Sequence, residues 1–163
     1  MKKYATEIKW GLIFCAAALG WMVFEKAMGW HGPKIEQHPY MTNIFAVVAI
    51  TVYVFALREK RQQLGGQMTW KQGFMSGLII SIVVALFSPL TQWITHALIS
   101  PAYFPNAIAY SVDVGYYDSP EAAAEYFNLQ SYMMQGGIGA IIMGVVTSAI
   151  VALFLRRNSA PTD

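Results

Sequence analysis

The chain has 163 residues, of which 56% are hydrophobic and only 12% charged, about half the charge of an ordinary soluble domain. Its formal net charge of +2 gives no basis for binding nucleic acid, and a lone cysteine, Cys15, excludes a disulfide within the chain. The length suits one domain, and the composition asks for a bilayer as solvent.

Residues 8–28 are the first expected span, about 20 residues, enough for a hydrocarbon core of ~30 Å. The opening MKKYATEIKWGLIFCAAALGWMVF is laid out like a secretory leader. FEKAMGWHG follows it where a small-x-small cleavage site would stand, so the segment is read as an uncleaved span. Phe14 directly before Cys15 also argues against a lipoprotein site, and Cys15 reads as a small packing residue. Gly11, Cys15, Ala18, Met22, Glu25 and Gly29 recur at steps of three or four, which places them on one helix face that ends in a carboxylate. Trp10 is expected near the inner interface. Glu25 and Lys26 fall about 22 Å further along, at the outer edge of the membrane.

Residues 29–40 read as a short loop, broken at Gly32-Pro33 and His38-Pro39. The second span, residues 41–57, has only about 17 residues, the minimum that crosses, so little tilt is expected. Its β-branched composition would suit a strand in water, but an isolated strand leaves its backbone unsatisfied in lipid. Residues 58–67 form a charged turn closed by Gly65-Gly66. Thr69 with Gln72 is a capping-box pattern, and it starts the third span, residues 71–99. There Gly73, Gly77, Ser81 and Ala85 recur every fourth residue, with Pro89 next on the row, a stripe of small residues that lets another backbone come close. At about 43 Å the helix is longer than the hydrocarbon requires. Pro89 is expected to kink it and send TQWITH into the outer headgroup layer.

Residues 100–134 form an aromatic-rich outer cap, with Pro101, Pro105 and Gly115 marking irregular chain. Ser119-Pro120-Glu121 is a helix start, expected to run to about Tyr126. The rings Tyr103, Phe104, Tyr110, Tyr116, Tyr117, Tyr126, Phe127 and Tyr132 read as interfacial anchors, a lid over a cavity being the alternative. The fourth span, residues 135–155, carries an unbroken row of Gly136, Ala140, Gly144, Ser148 and Ala152. Two such rows either pack against each other within one chain or make a homodimer interface. RRNSAPTD closes the chain as a short frayed tail.

The expected architecture is therefore all-α and polytopic: one membrane domain of four transmembrane helices, with an outer cap between the third and fourth. Four spans put both termini on one side. Lys2, Lys3, Lys9, Arg58, Lys60, Arg61, Lys71, Arg156 and Arg157 share that side, nine of the 11 basic residues. Short loops rich in lysine and arginine stay in the cytoplasm, so the termini are expected there. Lys26, Lys34 and all three histidines fall on the other side.

That topology brings Glu25, Lys26, Thr42, Asn43, Gln92, Thr95, His96, Gln130 and Gln135 to one level. Polar groups at membrane depth are costly and usually face the bundle interior, where they pair. The cluster is either a structural set that fixes helix register or a site for a small polar ligand, a lipid headgroup or an ion. In the second case Glu25, Lys26, Asn43, Gln92 and His96 are the binding candidates. His31, His38, His96, Glu25 and Glu36 raise the question of a metal. The spacing from His31 to His38, broken by proline, matches no standard ligand pattern, so no metal and no cofactor is expected. The histidines read instead as interfacial groups bonded to backbone or headgroups. Ser81 and Ser148 sit on the small-residue stripes without an acid–base partner, and no nucleophile elbow, phosphate loop or metalloprotease helix occurs, so no enzyme is expected.

The segments WMVFEKAMGWHG, HPYMTNIFAV, MTWKQGFMSGLIIS, SPLTQWIT, SPAYFPNAIAY and EYFNLQSYMMQGGIGA, in that order, resemble one family. It is the bacterial integral membrane family catalogued as domain of unknown function 4199. The resemblance covers nearly the whole chain. It implies four membrane helices in a bacterial inner membrane and carries no activity. On its pattern Glu25, Lys26, Thr42, Asn43, Lys71, Gly73, Gly77 and Pro89 stand out, without assigned roles. Two functional classes stay open: a non-enzymatic accessory or oligomeric membrane component, and a carrier for a small solute, ion or lipid built on the cluster around Glu25. The expected partners are the lipid bilayer and either a second copy or another membrane protein.

Overall fold

The computed structural model describes residues 4–157. Lys2, Lys3 and residues 158–163 of the tail lie outside the described residues. Four segments are long and apolar enough to cross a membrane: Ala5–Ala27, Ile35–Gln63, Trp70–Ile99 and Pro120–Leu155. Among the described residues there is no strand, only an isolated bridge between Met68 and Arg157. The chain is an all-α bundle with the build of a multi-pass membrane protein.

Helix α1 (Ala5–Ala27) ends in a turn at Gly29, whose φ of 83° a side chain would strain. The second span differs from the expected 17-residue segment. A 3₁₀ turn (Ile35–Gln37), the short helix α2 (His38–Met41), a further 3₁₀ turn (Thr42–Ile44) and α3 (Phe45–Gln63) follow one another as a single 29-residue helical run. Pro39 does not break it, because it stands in the first turn of α2, where a missing N–H costs nothing. At the other end Arg58, Glu59, Lys60 and Arg61 stay helical. The true turn is at Leu64–Gln67, where Gly65 and Gly66 both take positive φ.

Helix α4 (Trp70–Trp93) opens with the capping box: the Thr69 hydroxyl accepts from the Gln72 N–H, and the Gln72 side chain accepts from the Thr69 N–H at 2.8 Å. It runs through Pro89 and widens into a π-helical turn at Ile94–Ile99. Such widenings frequently accompany functional sites. TQWITH does not run on as a free extension, since His96 turns inward against the cap.

The cap is more ordered than the prolines imply. Helix α5 (Tyr103–Asp113) was not expected; Pro105 lies in its first turn, where no intrahelical N–H is needed. Helix α6 (Pro120–Tyr126) starts from Ser119, whose hydroxyl accepts from the Ala122 N–H. The last helix, α7 (Leu129–Leu155), begins six residues before the expected span, capped by Asn128, which accepts from the Ser131 N–H at 2.9 Å.

Helices α4 and α7 pack antiparallel along their small-residue rows. A Cβ added to Gly73 would lie 2.9 Å from that of Ala152, and one added to Gly77 would lie 2.6 Å from that of Ser148. One added to Gly144 would overlap the Ser81 hydroxyl. The row on α4 continues to buried Ser88 facing Gly136, not to Pro89, which is exposed. A step of four residues drifts on a helix of 3.6 residues per turn, so the stripe must slip by one. Between these helices Ser81 donates to the Gly77 carbonyl and receives the Tyr53 hydroxyl at 2.8 Å. Ser81 therefore has a partner that spacing did not reveal.

Candidate functional site

Helix α1 carries a buried carboxylate at each end. Glu7 and Glu25 are eighteen residues apart, about five whole turns and ~27 Å, so they share one helix face. Both are almost fully shielded from solvent, at 1% and 0% exposure. A buried charge must be paired or it is very costly.

At the end that holds Ala5, Glu7 Oε1 takes the Lys60 ammonium at 2.7 Å and the Ser76 hydroxyl at 2.8 Å. Around it, Thr6 donates to Gln63 at 2.8 Å, and Glu59 receives Lys9 at 2.6 Å and the Trp10 indole at 2.9 Å. These contacts tie α1 to α3 and α4. No cavity adjoins them among the described pockets.

At the cap end Glu25 is held differently. The Trp21 indole, one turn back on α1, donates to Oε1 at 2.6 Å. The imidazoles of His31 and His38 both present Nε2 to Oε2, at 2.9 and 3.3 Å. Among the described residues no lysine or arginine pairs with it. The chain achieves this by turning at Gly29, which returns His31 to the end of α1, and by starting α2 at His38. Asn106 of α5 pins the first turn by donating to the His31 carbonyl at 2.8 Å.

Tyr103, at the start of α5, roofs the group. Its ring lies 5.1 Å from that of His31 and 5.2 Å from those of His38 and His96, measured between centroids. Burial pushes its phenol above the ordinary value, so the hydroxyl stays protonated and meets that of Tyr132 at 3.1 Å. His96 stacks on Phe104 at 4.1 Å. Beneath this roof lies a cavity of about 180 Å³ whose wall includes His31, His38, His96, Gln92, Thr42 and Tyr132. The Nδ1 atoms of His31 and His96 are buried and have no hydrogen-bond partner. A larger, mostly apolar chamber of about 330 Å³ lies deeper in the bundle, beside Phe14, Cys15, Ala18 and Val84. Thr42 and Gln92 line both spaces, so the two adjoin.

The structure distributes the sequence candidates unevenly. Glu25 is the anchor, and Gln92 and His96 line the cavity. Asn43 is turned aside, donating to the Pro39 carbonyl at 2.7 Å, and lines only the apolar chamber. Lys26 is exposed and does not face the cavity. Gly73, Gly77, Ser81, Gly144, Ser148 and Gly136 meet across α4 and α7, with Ala85 and Ala140 between them on the same rows. The expectation that His31 and His38 bond backbone or headgroups is corrected: both converge on Glu25. Spacing along the chain hid this because the ligating partner is the end of α1, not either histidine's neighbour. The Trp21–Glu25 step of four was the visible signal that the carboxylate is held inward.

Fold and site together define a four-span helical membrane protein with a carboxylate–imidazole pocket under a helical cap. The chain belongs to the family described as Protein of unknown function (DUF4199), whose pattern matches residues 9–157. No curated protein and no solved structure matches it.

Proposed function

We propose that this is a non-enzymatic binding protein or carrier of the bacterial inner membrane, with cytoplasmic termini, that holds a small polar or ionic ligand in the cap-end cavity. The observation that carries this reading is Glu25: a fully buried carboxylate without a fixed cationic partner, bonded to two imidazoles, His31 and His38, that line the cavity. A carboxylate kept only for register is better served by a lysine, as at Glu7. The adjoining apolar chamber offers space to a hydrophobic portion of a ligand, or a path from the bundle. The accessory or oligomeric reading loses its main support, because the small-residue rows are occupied within the chain.

Native mass spectrometry of the protein released from its own membranes tests this. A discrete added mass on the wild type and on Glu7→Gln, absent from Glu25→Gln, is the expected result. A bare wild-type chain, or an adduct indifferent to Glu25→Gln, would overturn the reading.

A further inference from the structure

We propose that Glu25, His31 and His38 bind one divalent first-row transition ion of the zinc class, with a coordination position left open to the cap-end cavity. This deepens the reading of that cavity as a ligand site and rests on it. The donor set is one carboxylate and two imidazoles. Such borderline donors suit zinc and its neighbours, whereas calcium and magnesium demand a shell of oxygens.

The geometry is already close. One ligand atom from each of the three residues lies within 4.8 Å of the other two. A tetrahedral ion with bonds of about 2.0–2.1 Å needs its ligands roughly 3.3 Å apart. The 2.9 and 3.3 Å separations of Glu25 Oε2 from the two Nε2 atoms lie just below and at that value. A cation placed among these atoms replaces the Nε2···Oε2 hydrogen bonds, with each neutral imidazole carrying its ring proton on Nδ1 and any further proton released to solvent.

The surroundings are those of a held ligand set. The Trp21 indole fixes the free carboxylate oxygen, and Asn106 fixes the backbone of His31, the kind of outer contact that orients metal ligands. A second feature shows that the group is not complete within the chain. His31 is only 4% exposed and lines the cavity, yet its Nδ1 has no partner. With the ion on Nε2, that Nδ1–H needs an acceptor of its own, which water or a ligand held in the cavity supplies. His31 and His38 both line a space of about 180 Å³, room for water or an exchangeable donor in a fourth position, with Gln92 and His96 also on its wall.

The test uses the full chain purified in detergent, stripped with a chelator and titrated with Co²⁺ as a spectroscopic probe and with Zn²⁺ as its competitor. One cobalt per chain is expected, with the intense visible bands of a four-coordinate ion, displaced by zinc. His31→Ala and His38→Ala should each weaken binding by about 100-fold or more, since even outer-shell changes cost roughly 10- to 100-fold. Trp21→Phe should weaken it by about 10-fold and serves if an alanine variant does not fold. Glu36→Gln, an exposed carboxylate, should leave it unchanged. Cobalt that stays six-coordinate, or binding indifferent to both histidine variants, would overturn the proposal. If zinc fails to bind while a Glu25-dependent adduct survives in native mass spectrometry, the metal assignment falls and the ligand reading stands. If neither is found, both fall.

Discussion

The two ends of α1 carry the same side chain, on the same face, at the same depth of burial, and are treated in opposite ways. Glu7 is neutralised by the Lys60 ammonium, and among the described cavities none is lined by it. Glu25 is surrounded by groups that orient it (an indole and two imidazoles), and the two imidazoles line a space that a ligand can enter. A fixed ion pair through Oε1 holds three helices together, although Glu7 Oε2 is left without a partner; a carboxylate bound to imidazoles can exchange what it holds. The difference separates a clamp from a site, although both look like buried acids.

The largest effect expected in testing this comparison comes from the packing that keeps the two ends in register. Gly144→Leu forces a side chain into Ser81 and towards the Tyr53 hydroxyl, 2.9 Å from the position of an added Cβ. Overpacking of this kind should cost about 3 kcal/mol or more, visible as loss of folded protein on size exclusion in detergent. A well-folded monomer released from a dimer would instead assign the row to an interface between copies.

Next in size is Glu7→Gln, which leaves the mostly buried Lys60 without its counter-charge and should cost about 3 kcal/mol in thermal or denaturant unfolding. Replacing both partners, Glu7→Leu with Lys60→Met, should recover most of that loss, because an apolar pair of similar volume is often no worse than a buried ion pair. If the double variant is no better than the single, the clamp is not an isolated pair. Glu25→Gln should be milder, within about 1 kcal/mol, since the amide keeps the shape and its oxygen can still accept from Trp21. A collapse of the fold there would make Glu25 a second clamp and erase the distinction. The smallest effect is Tyr53→Phe, about 1 kcal/mol, as Ser81 retains its bond to the Gly77 carbonyl.

Much of this architecture can be read from residue order. Apolar length identifies the four spans, four-residue periodicity identifies the rows on α4 and α7, and Thr69-x-x-Gln72 and Ser119-Pro120 mark the starts of α4 and α6. These signals are local, so they survive without knowledge of the fold. The structure departs from the local signals where proline stands early in a helix: Pro39 and Pro105 sit in first turns, and the segments after them are helical. Glu7 stands one step before Gly11 on the stripe of α1, just outside the expected span of residues 8–28, so the stripe read from the sequence begins too late to include it. His31 and His38 could not be assigned to Glu25 from spacing, because a turn at Gly29 and the cap helix α5 decide where they point. Local patterns fix elements; the convergence of three elements on one carboxylate is a property of tertiary structure.

Thermal unfolding in detergent, with and without zinc, for the wild type, Glu7→Gln and Glu25→Gln side by side, tests the central distinction most directly. Zinc at about 100 times its dissociation constant should add about 2.7 kcal/mol to the wild type and raise Glu7→Gln by the same increment from a lower baseline. Glu25→Gln should start near the wild type and show no rise. A zinc-induced rise in Glu25→Gln equal to that of the wild type, or its loss in Glu7→Gln, would contradict the assignment of clamp and site.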